Sequence, residues 1–355
     1  MKTSFTILFV AISAILCSCD VENPTPDPIE NPEYANWTIP KSEIIKRGLE
    51  NDLIPSIDHP EFIPVNSATH LEEDDVVLGI NVKGDYRAYP VKILNYHEVI
   101  NDHFAAGEKT IAYCPLSGSY SMWDNTIKGI ATTFGVSRYI YNSTHILYDR
   151  VSKGHWLPTI YACVNGELEG LEIEGQQMIA LTWGKWMSMF PGSKVLEPPV
   201  NTAYDYQVDL YAGYKTSDSL TYPVNPLNPI LPPKKKVHGV IVDRRMKVYS
   251  PDSFGDSTTV LQDNFQGLSV VVVGNTSDKF IVSYERRFPG GPELDFLPAQ
   301  DVPANIIMTD SKGNKYDIFG LAVDGPDKGR ALTPTKSITG YWFVMATIFS
   351  DPVVY

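Results

Sequence analysis

Short alternating runs dominate the chain from about residue 54 onward. In "VVLGINV" (76–82), "DYRAYPV" (85–91), "TIAYCPL" (110–116) and "SVVVVG" (269–274), apolar and β-branched side chains alternate or cluster briefly between Gly, Asp and Asn turns. This pattern predicts strands. A longer spacing occurs in "LTWGKWMSMF" (181–190), where Leu181, Trp183, Trp186, Met187 and Phe190 recur about one helical turn apart. That stretch predicts a short amphipathic helix. The fold class expected is α+β, dominated by β structure, with few and short helices.

The pattern also repeats. "VLGINVKGDYRAYP" (77–90) aligns without a gap on "VHGVIVDRRMKVYS" (237–250), and "VINDHFAAG" (99–107) on "VLQDNFQG" (260–267) with one residue of slippage. "VNGELEG" (164–170) matches "VDGPDKG" (323–329), and "WGKWMSMFPGSKVL" (183–196) matches "WFVMATIFSDPVVY" (342–355). Four matches in order at an offset of about 160 residues predict two related β-rich lobes, 54–221 and 237–355. The proline-rich "YPVNPLNPILPPKKK" (222–236) blocks helix and central strand alike and marks the boundary.

Position in the repeat sorts the candidate residues. Asp102 matches Asp263 and Phe104 matches Phe265, so these belong to the shared scaffold. His97, Glu98, Cys114 and Pro115 have no counterparts, which concentrates distinctive chemistry in the first lobe. Cys163 falls opposite Ala322, the slot of a small buried hydrophobe.

The N-terminus changes the picture of where this body resides. "MKTSFTILFVAISAILCSCD" has one Lys, an apolar run from Phe5 to Leu16 and then small residues, a secretory signal too short to span a bilayer. Leu16-Cys17-Ser18-Cys19 resembles a bacterial lipobox with Cys19 as the acylated residue. The reading is a signal peptide over 1–18, then an acidic, proline-rich tether and N-terminal segment over 19–53. The body would be exported and lipid-anchored to a cell-envelope membrane, its membrane partner reached through acylated Cys19. A net charge of −13 and a pI near 5.0 argue against nucleic acid as a partner. Cys114 and Cys163, the sulfurs left after processing, are too few for a disulfide scaffold.

"YCPLSGSY" (113–120) holds Cys114 and Ser117 at the two ends of a C-x-x-C spacing, with oxygen in the second place. A strand-end Cys followed by Pro and Ser-Gly resembles thiol-redox geometry, and such a thiol reacts where a cation or helix N-terminus favours its thiolate. His97 is the candidate activating partner, with Ser117 and Glu98 completing the catalytic set. "HEVIN" departs from H-E-x-x-H at Asn101, so a zinc-protease site is excluded. No cofactor is predicted, because copper or zinc at His97 and Cys114 has no supporting ligand spacing. Asp149 and Arg150 read as a strand-end ion pair or as a grip on an anionic substrate, with Tyr141 lining a groove beside them.

Four segments together, "YPVKILNYHEVINDHF", "YCPLSGS", "FGVSRYIYNSTHILYDR" and "TWGKWMSMFPGSKVL", resemble the DUF3179 family of bacteria and archaea, over about Ile54–Tyr355. The resemblance implies no established activity. Family members carry Y-C-P-L-C-G where this chain has Ser117 in the second cysteine's place, and W-H-E where it has Tyr96-His97-Glu98. Some are selenoproteins, which points to redox chemistry. Three expectations follow: an envelope lipoprotein with a single-thiol site at Cys114 near His97, a non-enzymatic ligand-, metal- or partner-binding protein in which both residues are structural or bind metal, or an envelope scaffold with no small ligand.

Overall fold

Two-residue turns close the hairpins that the alternation predicts. Lys83 and Gly84 take positive φ (51° and 90°) between strands Val76–Val82 and Asp85–Pro90, and Asp243 and Arg244 do the same (48° and 61°) between Lys236–Val242 and Arg245–Tyr249. Paired positive φ angles give the turn twist that antiparallel strands require. The computed structural model describes residues 36–200, 202–349 and 351–355. The leader and Cys19 lie outside them. The chain is β-dominated, with several sheets and with α-helices of five to seven residues.

Each of these hairpins sits at the centre of a sheet. Ile179–Thr182 pairs antiparallel with Val76–Val82, and Lys194–Leu196 pairs parallel with Asp85–Pro90. In the second half Ser337–Tyr341 pairs antiparallel with Lys236–Val242, and Val353–Val354 parallel with Arg245–Tyr249. A seven-residue helix follows the flanking strand in both, Trp183–Met189 in one and Trp342–Ile348 in the other. Thr182 caps the first of these, its Oγ1 accepting from the Lys185 amide at 3.3 Å. Each half adds a three-stranded meander, Val99–Phe104, Gly107–Cys114 and Ser119–Asp124 in the first and Thr259–Phe265, Leu268–Asn275 and Phe280–Glu285 in the second.

The valine run explains how the halves pack. Val270 and Val272 join Val240, Tyr249 and Phe254 in one core. Val271 and Val273, on the opposite face of the same strand, join Val77, Leu181, Trp183 and Trp186 of the first half. A strand buried on both faces reads as a continuous apolar run. Each fully buried valine stabilises the fold by roughly 1.5–3 kcal/mol, and Val271 and Val273 bind the halves through the core they share. Within that core the Trp186 ring lies where a Cβ on Gly79 would stand, 2.2 Å from its Cζ3, so the strand needs glycine there. The indole N–H of Trp186 donates to Ser193 Oγ at 2.9 Å, which satisfies the polar edge of a buried ring.

Backbone bonds fasten the seam in both directions. The Thr182 amide donates to the carbonyl of Asp278 at 3.0 Å, and the Tyr341 amide to the carbonyl of Ser117 at 2.7 Å. Both donors immediately precede a helix, and both acceptors lie in the last turn of a meander.

Candidate functional site

Cys114 ends the strand Gly107–Cys114, and the turn 115–118 carries the chain to Ser119. Gly118 makes the reversal at φ 61°. The thiol is 1% exposed, and its Sγ accepts from the His145 amide at 3.4 Å. Burial, and after it the charge of Glu98, push the thiol up to about 11, against weaker lowering by bonds from Ser117 and His145. The Ser117 hydroxyl also shares a 2.7 Å hydrogen bond with Ser119 Oγ.

Glu98 reaches this place because it ends the helix Val91–His97 in a left-handed conformation, φ 57°, with its amide donating to Leu94 O at 2.9 Å. The next strand then starts at once, and the Tyr113 amide donates to the Glu98 carbonyl at 2.8 Å. The Glu98 carboxylate is buried and accepts from His145 Nδ1 at 2.9 Å, while Arg47 Nη1 stands 3.9 Å away. Tyr211, Tyr214 and Tyr222 pack over Cys114, Leu116 and Ile140, and the Tyr214 hydroxyl donates to Leu116 O at 2.7 Å. Burial, and secondarily the Glu98 and Cys114 charges, raise the Tyr211 phenol.

His97 belongs to a different network. Its Nδ1 donates to Pro55 O at 2.8 Å, so Nε2 is the acceptor for the Tyr206 hydroxyl at 2.7 Å. Burial lowers its pKa, opposed by the bond to Pro55. Both ring nitrogens are thus engaged away from the thiol. The imidazole beside Glu98 and Cys114 is His145, which the sequence reading passed over along with Arg47 and the covering tyrosines. The available signal was the alternation of "THILYD", which sets His145 and Leu147 on one face of a buried strand.

Asp149 and Arg150 part company. Asp149 is buried and organises its own turn, accepting from the amides of Val151 and Ser152 at 3.2 and 2.6 Å and from Trp156 Nε1 at 3.0 Å. Asp310 does the same in the second half, accepting from the amides of Lys312 and Asn314 and from the Tyr316 hydroxyl at 2.9, 3.0 and 2.7 Å. Arg150 instead donates to Ser56 Oγ at 2.8 Å and stands 3.3 Å from Asp52 and 3.4 Å from Asp58. Tyr141 is buried in strand Phe134–Tyr141, opposite Ile44 on one side and Thr144 on the other. These three residues do not converge on the thiol. Among the described residues, no group of three or more His, Cys, Asp or Glu side chains is placed to hold a metal ion.

Open space lies elsewhere, in the seam between the halves. A cavity of about 180 Å³ is lined by Val76, Tyr120 and Ala180 from the first half and by residues including Lys236, Ile281 and Thr339 from the second. A second cavity of about 480 Å³ shares Tyr120 and Thr339 with it and reaches His238 and Thr335. His238 bridges Thr339 Oγ1 at 2.8 Å and Ser283 Oγ at 2.7 Å, and Ser283 continues to Thr335 Oγ1 at 2.5 Å. Burial holds this imidazole near a pKa of about 4, so it is neutral at ordinary pH.

A family model described as "Protein of unknown function (DUF3179)" matches residues 51–351. No curated protein and no solved structure matches the chain.

Proposed function

The chain belongs to the DUF3179 family, whose description states no function, and we propose one from the site: a ligand-binding protein held on the cell envelope, its ligand taken into the seam between two related halves. The observation that carries this reading is the lining of the smaller cavity. Val76 and Lys236, Tyr120 and Ile281, and Ala180 and Thr339 line it together, each pair in corresponding strand positions of the two halves. We infer that the halves are copies of one unit, which the matching strand orders and the reciprocal seam bonds support. The region before residue 54 then serves as leader, acylated Cys19 and tether.

Filling the cavity tests the binding reading. Native mass spectrometry of protein released gently from its own envelope should find a small molecule that Ala180→Phe no longer retains. Identical spectra from wild type and variant would count against it. Labelling with a clickable fatty acid should mark wild type and spare Cys19→Ser, and equal labelling would remove the anchor.

A second reading is favoured by one observation, the Glu98–His145 pair whose strand also donates to Cys114 Sγ. With the covering tyrosines displaced, that trio has the composition of an activated thiol. Alkylation of Cys114 decides between the readings. Fast reaction with an apparent pKa well below the free-thiol value of about 8.5 supports the thiol site, and protection until unfolding supports the binding protein.

A further inference from the structure

We propose that the smaller seam cavity binds a compact carboxylate, apolar apart from one anionic group, which it holds through the ammonium of Lys236. The inference rests on the seam reading above and names the ligand class that the walls select.

Most of the wall is apolar, including Val76, Ala180, Val237, Phe254 and Phe280. Among the described residues no Asp or Glu lines it, although the chain as a whole carries a net charge of −13, and Lys279, which also lines it, is engaged through its Nζ by Asp74 O at 2.9 Å. Lys236 lines it, half-buried, and among the described residues no carboxylate or other acceptor is paired with its ammonium. Burial, reinforced by the nearby charges of Lys215 and Lys279, brings its pKa down to about 8. Packing a cation among apolar groups and beside like charges costs free energy unless an anion joins it.

The fold does not demand that cation. Lys236 pairs with Tyr341 at the start of its strand as Val76 pairs with Thr182 at the start of the corresponding one, and valine serves there. A lysine kept without a structural partner, in a cavity wall, has the features of a ligand group. Asn275 adds a donor. Its Oδ1 accepts from the Asp278 amide at 2.8 Å, which leaves its side-chain N–H groups for an incoming oxygen. The volume sets the size, since a cavity of about 150 Å³ admits benzene. About 180 Å³ therefore suits a ligand the size of a small aromatic or branched aliphatic acid.

Titration calorimetry on the full chain with benzoate, benzyl alcohol and inorganic phosphate tests the proposal. At pH 7 benzoate should bind wild type at least about tenfold more tightly than benzyl alcohol, roughly 1.4 kcal/mol, and phosphate should not bind. Lys236→Met should abolish that preference while keeping benzyl alcohol binding, which also shows that the variant is folded. At pH 9.5 the wild-type preference should shrink, and benzoate binding should take up protons. Equal affinity for benzoate and benzyl alcohol in wild type would overturn the carboxylate assignment and leave the seam cavity standing. Binding of neither compound would overturn the seam reading itself. Phosphate binding that depends on Lys236 would overturn the requirement for an apolar body.

Discussion

The backbone N–H of Tyr341 donates to the carbonyl oxygen of Ser117 across 2.7 Å, and the Tyr341 ring lies against Gly118. The turn that carries Cys114 is therefore also a fastening point for the second half. Its backbone is committed to the seam, whatever its sulfur does.

Gly118 is the most exacting position of that turn. It stands at φ 61°, and a Cβ added there would lie 3.2 Å from the Tyr341 ring. Gly118→Ala should lower stability by about 1–2 kcal/mol, the cost of a left-handed non-glycine residue plus the crowding. Lys279 occupies the corresponding turn position at φ 59°. Lys279→Gly should cost nothing or add up to about 1 kcal/mol. Urea unfolding midpoints of both variants check the opposed signs, and two losses of similar size would contradict the account.

Asp102 and Asp263 should differ in importance. Asp102 is buried, accepts from Tyr89 at 2.5 Å and receives Arg87 Nη1 at 2.8 Å on both oxygens. Asp263 accepts from Tyr249 at 2.7 Å and stands 2.6 Å from Lys247, with its side chain 15% exposed against 3% for Asp102. Breaking the deeper pair should cost about 3 kcal/mol in Asp102→Asn, because Arg87 loses its innermost partner. Asp263→Asn should cost about 1 kcal/mol. A larger loss at Asp263 would show that burial is not the deciding factor.

Acid should unfold the protein through its buried imidazoles. Burial holds both His155 and His238 near a pKa of about 4. As pH falls below the ordinary value of about 6.5 the unfolded chain protonates first, so stability declines between about 6.5 and 4, by as much as about 3 kcal/mol per histidine. Asp317 acts oppositely. Burial raises it to about 6, so the folded state keeps that proton longer and gains as pH drops from about 6 to 4. Asp102 is raised by burial too, but His70 and His97 are lowered as His155 and His238 are, so four imidazoles set against two carboxylates give a net loss. Unfolding midpoints at pH 7 and 4.5 should show it, with a shallower decline in His238→Gln; an unchanged slope in that variant would remove His238 from the cause.

Lys236 should be a liability to the empty protein. Its folded pKa of about 8 lies below its ordinary value, so below pH 8 both states are protonated and the folded state bears the whole penalty. The penalty fades as pH rises from about 8 toward 10.5. Lys236→Met should therefore stabilise the protein at pH 7 by about 1–2 kcal/mol, after discounting for partial solvent access, with the gain vanishing near pH 10.5. Thermal unfolding at the two pH values reads this directly. A destabilised variant at pH 7 would mean the ammonium has a structural task.

Local pattern carried much of the architecture. The hairpins, the valine strand and the helix Trp183–Met189 follow from period and turn chemistry that neighbouring residues impose on one another. Cys163, expected as a small buried hydrophobe, is fully buried against Trp156 and other core residues. The site was harder to read. His97 and Glu98 are adjacent, yet the left-handed residue ending their helix sends one ring toward Pro55 and Tyr206 and the other carboxylate toward Arg47 and His145. Glu98 and His145 are 47 positions apart, and no spacing rule reaches across two sheets. Cavities are harder still, because they depend on how the halves meet and not on any one segment.

The reciprocal seam resembles that of a two-fold dimer, with one difference that a single chain makes available. In a dimer of identical chains every residue facing the centre appears twice, so a central lysine would face its own copy and the charges would repel. Here Val76 and Lys236 hold corresponding positions on either side of one cavity. In a single chain a substitution strikes once. A near-symmetric scaffold can in this way turn one unpaired ammonium, that of Lys236, toward one ligand in one orientation, while the Lys279 ammonium on the same lining is held by the carbonyl of Asp74 at 2.9 Å.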